Sequence, residues 1–250
     1  MLWQPVAKEI RRRRAIWYGF VLPSSTLKTC SNRESRAMKI GMITDSLPDA
    51  DFDTMLAVAA RLEMDLLEFG CGNWSSAPHL KLDLLLDSAP ARREFRARLA
   101  DHGLGISALN CSGNPVHPGE AGRHHDEVTR KTIRLARLLD VDRVVMMSGC
   151  PGAPGDSHAN WITTEWPPEV REILRWQWDE VLAPYWRDLV AYTRNEGVSR
   201  LCLELHGFAS VGYDGVLSIE HEDPAMSAVE GVEKSVDLLR RVIVNRPGGH

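Results

Sequence analysis

The chain has 250 residues, 44% hydrophobic and 26% charged, which is the composition of a globular protein and excludes collagenous, disordered and disulfide-scaffold classes. Thirty Lys and Arg against 34 Asp and Glu leave a net charge of −4, which speaks against a protein built to neutralise nucleic-acid phosphates. No run approaches the ~18 apolar residues that span a bilayer, so no membrane role is expected.

Residues 1–37 read apart from the rest. Arg11 to Arg14 followed by the apolar Ala15 to Leu22 has the order of an export signal, yet the apolar part is short and no small-x-small cleavage site follows. Residues 1–37 are therefore expected to be a disordered leader, 38–244 one folded domain and 245–250 a tail. Five cysteines, widely spaced, odd in number and without a Cys-x-x-Cys pair, argue against a disulfide framework or zinc ribbon and for a cytoplasmic location.

From Met38 onward, strand and helix patterns alternate. Lys39 to Thr44 is a short apolar run ending in the turn residues Asp45 to Pro48, as a buried parallel strand does. Asp51 or Asp53 can cap a following helix whose Phe52, Leu56, Ala59 and Ala60 share a face. Asp65 to Gly70 is a second strand; its loop carries Asn73, Trp74 and His79, and a helix from Leu82 to His102 follows, broken at Pro90. Leu104 to Asn110 is a third strand, leading through the loop Cys111 to Pro118 into a helix from Glu120 to Leu139, with His124 and His125 on its surface.

Val141 to Ser148 is a fourth strand with a long Gly- and Pro-rich loop to Pro168, which contains Trp161. A long amphipathic helix over Glu169 to Asn195 is expected to bend near Pro184, with Trp176, Trp178 and Trp186 in the core or an interface. Arg200 to Gly207 is a fifth strand, Gly215 to Glu222 a sixth, and Ala228 to Val244 a closing helix. This alternation implies an α/β fold with a parallel sheet wrapped by helices. Neither Gly-x-Gly-x-x-Gly nor a P-loop motif occurs, whereas polar groups gather after every strand, as at the mouth of a (β/α) barrel.

Two strands end in a carboxylate set in apolar sequence: Leu203-Glu204-Leu205-His206 and Ser218-Ile219-Glu220-His221. A charge there is costly unless it binds a metal or is paired. If both glutamates point into the mouth, they are a pair of oxygen ligands for Mg2+ or Mn2+ and a pair of bases able to remove and return a proton beside a carbonyl; otherwise they are structural ion pairs. Glu68 ends the second strand as a third acid, a substrate ligand or a salt-bridge partner. His117 and His206 sit where a ligand or hydrogen-bonding group is useful, and Trp74 and Trp161 can stack on a sugar ring.

At these residues the sequence resembles the sugar phosphate isomerase/epimerase family of xylose isomerase-like TIM barrels. The resemblance rests on Lys39 to Asp45, Leu67-Glu68-Phe69-Gly70, Ser107 to Asn114, Leu203 to Gly207 and Gly212 to Asp223. It implies metal-assisted proton transfer through an enediolate, with Glu204 resembling the family's strand-five ligand and Glu220 its strand-eight ligand. It also implies a small sugar-like substrate, for which Glu68, Trp74, Asn110, His117 and His206 are the expected binding residues.

One departure is plain. Gly207 to Asp214 are eight residues, too few for a crossover between parallel strands, and the family's Asp-x-x-His and His-x-His-like segments are absent. The expected fold is thus an incomplete TIM barrel of about six βα units, lacking strands six and seven and with them two metal ligands. Three readings follow: an isomerase/epimerase-like protein whose activity the deletion weakens or removes; a non-catalytic remnant that self-associates through exposed strand edges into a homo-oligomer; and an endonuclease-type DNA-repair barrel, which the acidic balance supports least.

Overall fold

In the computed structural model of the chain, residues 39–160, 162, 166–204, 216–219 and 226–242 are described; for 216–218 and 238–242 this concerns the backbone alone. The expected leader and tail lie outside them. The elements run β1 (Lys39–Ile43), a 3-10 turn (Thr44–Ser46), α1 (Phe52–Arg61), β2 (Leu66–Gly70), α2 (Leu82–Asp87), α3 (Ala89–Asp101), β3 (Gly105–Asn110), α4 (Glu120–Leu138) and β4 (Arg143–Met146). They continue with α5 (Val170–Trp176), a π-helical segment (Gln177–Leu182), α6 (Ala183–Asn195), β5 (Arg200–Leu203), β6 (Val216–Ile219) and α7 (Ala228–Val242).

Local chemistry explains the boundaries. Asp51 opens α1 by accepting the Thr54 amide at 2.7 Å, one of the donors that a helix start otherwise leaves unpaired. The break expected at Pro90 falls two residues earlier, at Ser88, whose hydroxyl accepts the Ala91 amide at 3.2 Å. Pro90 then lies within the first turn of α3, where its missing N–H costs nothing. Ahead of Pro184, where a bend was expected, the helix passes through the π segment, whose last bond joins the Ala183 amide to the Trp178 carbonyl. Widening the turn there eases the clash a proline ring makes with the carbonyl four residues back. Trp178, expected in the core or an interface, is 38% exposed and so is not a core residue.

The strands form one parallel sheet in the order β5-β4-β3-β2-β1-β6. β6 follows β5 in sequence yet lies at the opposite edge, with Ile219 beside Met42 of β1. In a closed eight-strand barrel the last strand pairs with the first. β6 therefore takes the place of a barrel's final strand, and the units expected to be missing belong between β5 and β6. This is an incomplete xylose isomerase-like (β/α) barrel.

Alternation along each strand separates the two faces. Leu67 and Phe69 of β2 are fully buried in the apolar core, where Phe69 packs edge-on to Phe95 at 5.1 Å between ring centres and Phe52 lies 5.4 Å from Phe95. Burial of this kind is worth roughly 1.5–3 kcal/mol per large side chain. Glu68 and Gly70 fall on the other face, as does Asn110, which meets Glu68 there. No helix among the described residues is long and apolar enough to cross a membrane.

Candidate active site

A hydrogen-bonded chain crosses the C-terminal ends of β2, β3 and β5. Asn110, buried at the end of β3, donates from Nδ2 to Glu68 Oε1 at 2.7 Å, and its Oδ1 accepts the Ser112 amide at 2.8 Å. The Ser112 hydroxyl in turn donates to Glu204 Oε2 at 2.8 Å. Glu204 is half-buried and directly follows β5, its own amide continuing the ladder to the Met146 carbonyl at 3.0 Å. Three residues singled out from the sequence, Glu68, Asn110 and Glu204, are thereby joined, and Ser112, which sequence reasoning did not single out, is the link. Its position two residues past a strand end was the available signal.

Around this chain the loops are held by local bonds. Trp74 is 54% exposed; its amide donates to the Ser112 carbonyl at 3.1 Å and its ring stands perpendicular to His125, 6.4 Å between centres. Asn73 adopts a left-handed backbone conformation, with φ of 65°, and donates to the Cys111 carbonyl at 2.8 Å. Gly70 carries no side chain because one would run into the Asp45 carboxylate and the Ser75 hydroxyl.

The histidines are tied into the framework. His117 Nδ1 accepts the Gly119 amide at 3.0 Å, shaping the turn into α4. His125, assigned to the surface by sequence, is half-buried, and its Nδ1 accepts the Asn114 amide at 2.9 Å. Burial holds its pKa below the ordinary histidine value, with the neighbouring His124 and His117 acting in the same direction. His79 is buried and bonds to the Ala50 carbonyl at 2.9 Å; burial lowers its pKa as well.

Glu220, His206 and Trp161 lie outside the described residues. Of the two expected metal ligands, Glu204 alone is described. Among the described residues no three or more His, Cys, Asp or Glu side chains gather into a group that would hold a metal ion. The described donor set therefore does not by itself make a metal centre, and the acid, amide and hydroxyl chain is what it does supply.

The family model for the xylose isomerase-like TIM barrel matches residues 56–211. The uncharacterized protein YfiH of Bacillus subtilis (strain 168) is 48% identical over 170 residues, covering 67% of this chain and 54% of the relative. The chain thus spans about half the length of this curated relative. Similar solved structures include a xylose isomerase domain protein from Planctomyces limnophilus, with 17% identity over 68% of this chain and 53% of that one, at a TM-score of 0.42. A D-tagatose 3-epimerase-like protein has 19% identity over 66% of this chain and 52% of that one, at 0.43. The D-psicose 3-epimerase of Clostridium cellulolyticum H10 has 14% identity over 66% and 52%, at 0.39.

Proposed function

The chain belongs to the xylose isomerase-like TIM-barrel family, and from that premise we propose that it is a sugar or sugar phosphate isomerase/epimerase-type protein. The observation that carries this reading is Glu204: a half-buried carboxylate at a strand's C-terminal tip, engaged by Ser112 over the same end of the sheet that holds Asn110 and Glu68. In a parallel α/β barrel that end is where chemistry takes place.

In the proposed mechanism Glu204 and Glu220 are the acid and base. One carboxylate removes the proton on the carbon beside a carbonyl, an enediolate forms, and a carboxylic acid returns the proton to the neighbouring carbon or to the opposite face. Glu220 lies outside the described residues, and its role rests on the resemblance of Ser218-Ile219-Glu220-His221 to the family's strand-eight ligand. Mg2+ or Mn2+, where bound by these two carboxylates, would stabilise negative charge on the enediolate oxygens. Glu68, Asn110, His117 and His206 would bind substrate hydroxyls, and Trp74 the sugar ring.

A cytoplasmic location is part of the proposal, supported by the free thiols of Cys71, Cys111, Cys150 and Cys202. A second reading has its own observation. Among the described residues β5 pairs with β4 alone, and Leu201, Cys202 and Leu203 are only half-buried, so this edge is suited to association with another copy.

The test is solvent-proton exchange. The full chain is incubated in D2O, with and without Mn2+, with a panel of ketoses, ketose phosphates and their epimers, and NMR follows deuterium entering beside the carbonyl. Exchange that Glu204→Gln abolishes supports the reading; no exchange with any substrate, or exchange indifferent to that change, rejects it.

A further inference from the structure

We infer that Ser112 is a positioning residue that fixes which oxygen of Glu204 faces the reacting proton. This rests on the proposed function only in giving Glu204 a catalytic role. Ser112 is clamped at three points: its amide donates to Asn110 Oδ1 at 2.8 Å, its carbonyl accepts the Trp74 amide at 3.1 Å, and its hydroxyl donates to Glu204 Oε2 at 2.8 Å. With the backbone held on both sides, the hydroxyl has little freedom to follow a moving carboxylate. A serine hydroxyl has one proton to donate, and here Glu204 receives it.

Left to itself, a glutamate side chain is poorly fixed, because its terminal torsion is broad and roughly two-fold. Anchoring Oε2 removes that rotation. Oε1 takes no hydrogen bond from a described residue, and it is the oxygen presented for proton transfer. The anchor reaches back through Asn110 to Glu68, so that the acid on β2 braces the acid on β5. Catalytic rates are sensitive to displacements of about 1 Å, which makes such bracing consequential.

The experiment uses the full chain and the variants Ser112→Ala, Ser112→Thr, Glu204→Ala and Ser112→Ala/Glu204→Ala. Thermal midpoints without substrate give a double-mutant cycle: non-additive shifts are expected, and additive shifts overturn the anchoring whatever the reaction is. In the exchange assay, Ser112→Ala is expected to slow kcat by about 10- to 100-fold with little change in KM, and Ser112→Thr, which keeps the hydroxyl, to recover most of it. An alanine variant as fast as the parent, or a folded threonine variant as slow as the alanine one, overturns the positioning role. If the parent chain shows no exchange, the proposed function falls, while the thermal cycle still decides whether Ser112 holds Glu204.

Discussion

Ser112 donates its hydroxyl to Glu204 Oε2 at 2.8 Å although β3 and β5 are not neighbours: β4 lies between them. Strands two apart are separated by about 9.6 Å at the usual spacing. Side chains bridge that distance when both lean over the intervening strand on one face. The hydroxyl–carboxylate pair is therefore a tertiary contact that ties the ends of β3 and β5 together above β4, at the place where the barrel's chemistry is proposed.

Asn110 is the keystone of the same chain. Replacing it by Leu leaves Glu68 Oε1 and the Ser112 amide without their bonds to it and sets apolar bulk against a carboxylate. A lost hydrogen bond costs about 1 kcal/mol, and more where the group is fully buried; Glu68 and Ser112 are half-buried, so Asn110→Leu should lower unfolding stability by about 1–2 kcal/mol, read from urea midpoints.

Gly122 lies in the first turn of α4, where Ala would ordinarily be preferred to Gly by about 1 kcal/mol. Here a Cβ would strike the His117 carbonyl oxygen and lie 3.0 Å from both its carbonyl carbon and its amide nitrogen. Backbone atoms cannot swing aside as a side-chain tip does. Gly122→Ala is expected to destabilise the protein by about 1–3 kcal/mol, against the helix-propensity trend; a raised thermal midpoint would contradict this.

His125 makes stability depend on pH. Its Nδ1 must stay unprotonated to accept the Asn114 amide, and burial lowers its folded pKa, so below about 6.5 the unfolded chain takes up the proton first. The stabilisation is complete above that value and is lost as pH falls through the lower folded pKa. Urea unfolding should therefore show less stability at pH 5.5 than at 7.5, with a flatter dependence in His125→Asn. His79, lowered by burial in the same sense, should retain part of the slope.

Trp74 should separate binding from folding. Because the ring is 54% exposed, Trp74→Ala is expected to change stability by less than about 0.5 kcal/mol. Loss of a stacking surface should raise KM for a sugar about 3- to 10-fold with kcat little altered. An unchanged KM would remove Trp74 from the binding site.

Much of this was legible in the chain. The two- and 3.6-residue periods located the strands and helices, since each period reflects burial of one face and requires only neighbouring residues. Glu68, Asn110 and Glu204 stood out as polar groups at the ends of apolar strands. The role of Ser112 was hidden because its partner is 92 residues away, and the half-burial of His125 was hidden because a helix's own period does not reveal which loop will cover its second turn.

By itself, then, the sequence determined the alternation, the helix starts and the acid-tipped strands, together with the connection between β5 and β6 that is too short for two βα units. Tertiary structure decided that β6 lies beside β1 and not beside β5, and that Ser112 meets Glu204 over the end of β4. Local periodicity says which face a side chain takes. Which distant side chains then meet depends on strand order and on how the sheet brings its ends together, and both are settled only when the whole sheet packs against its helices.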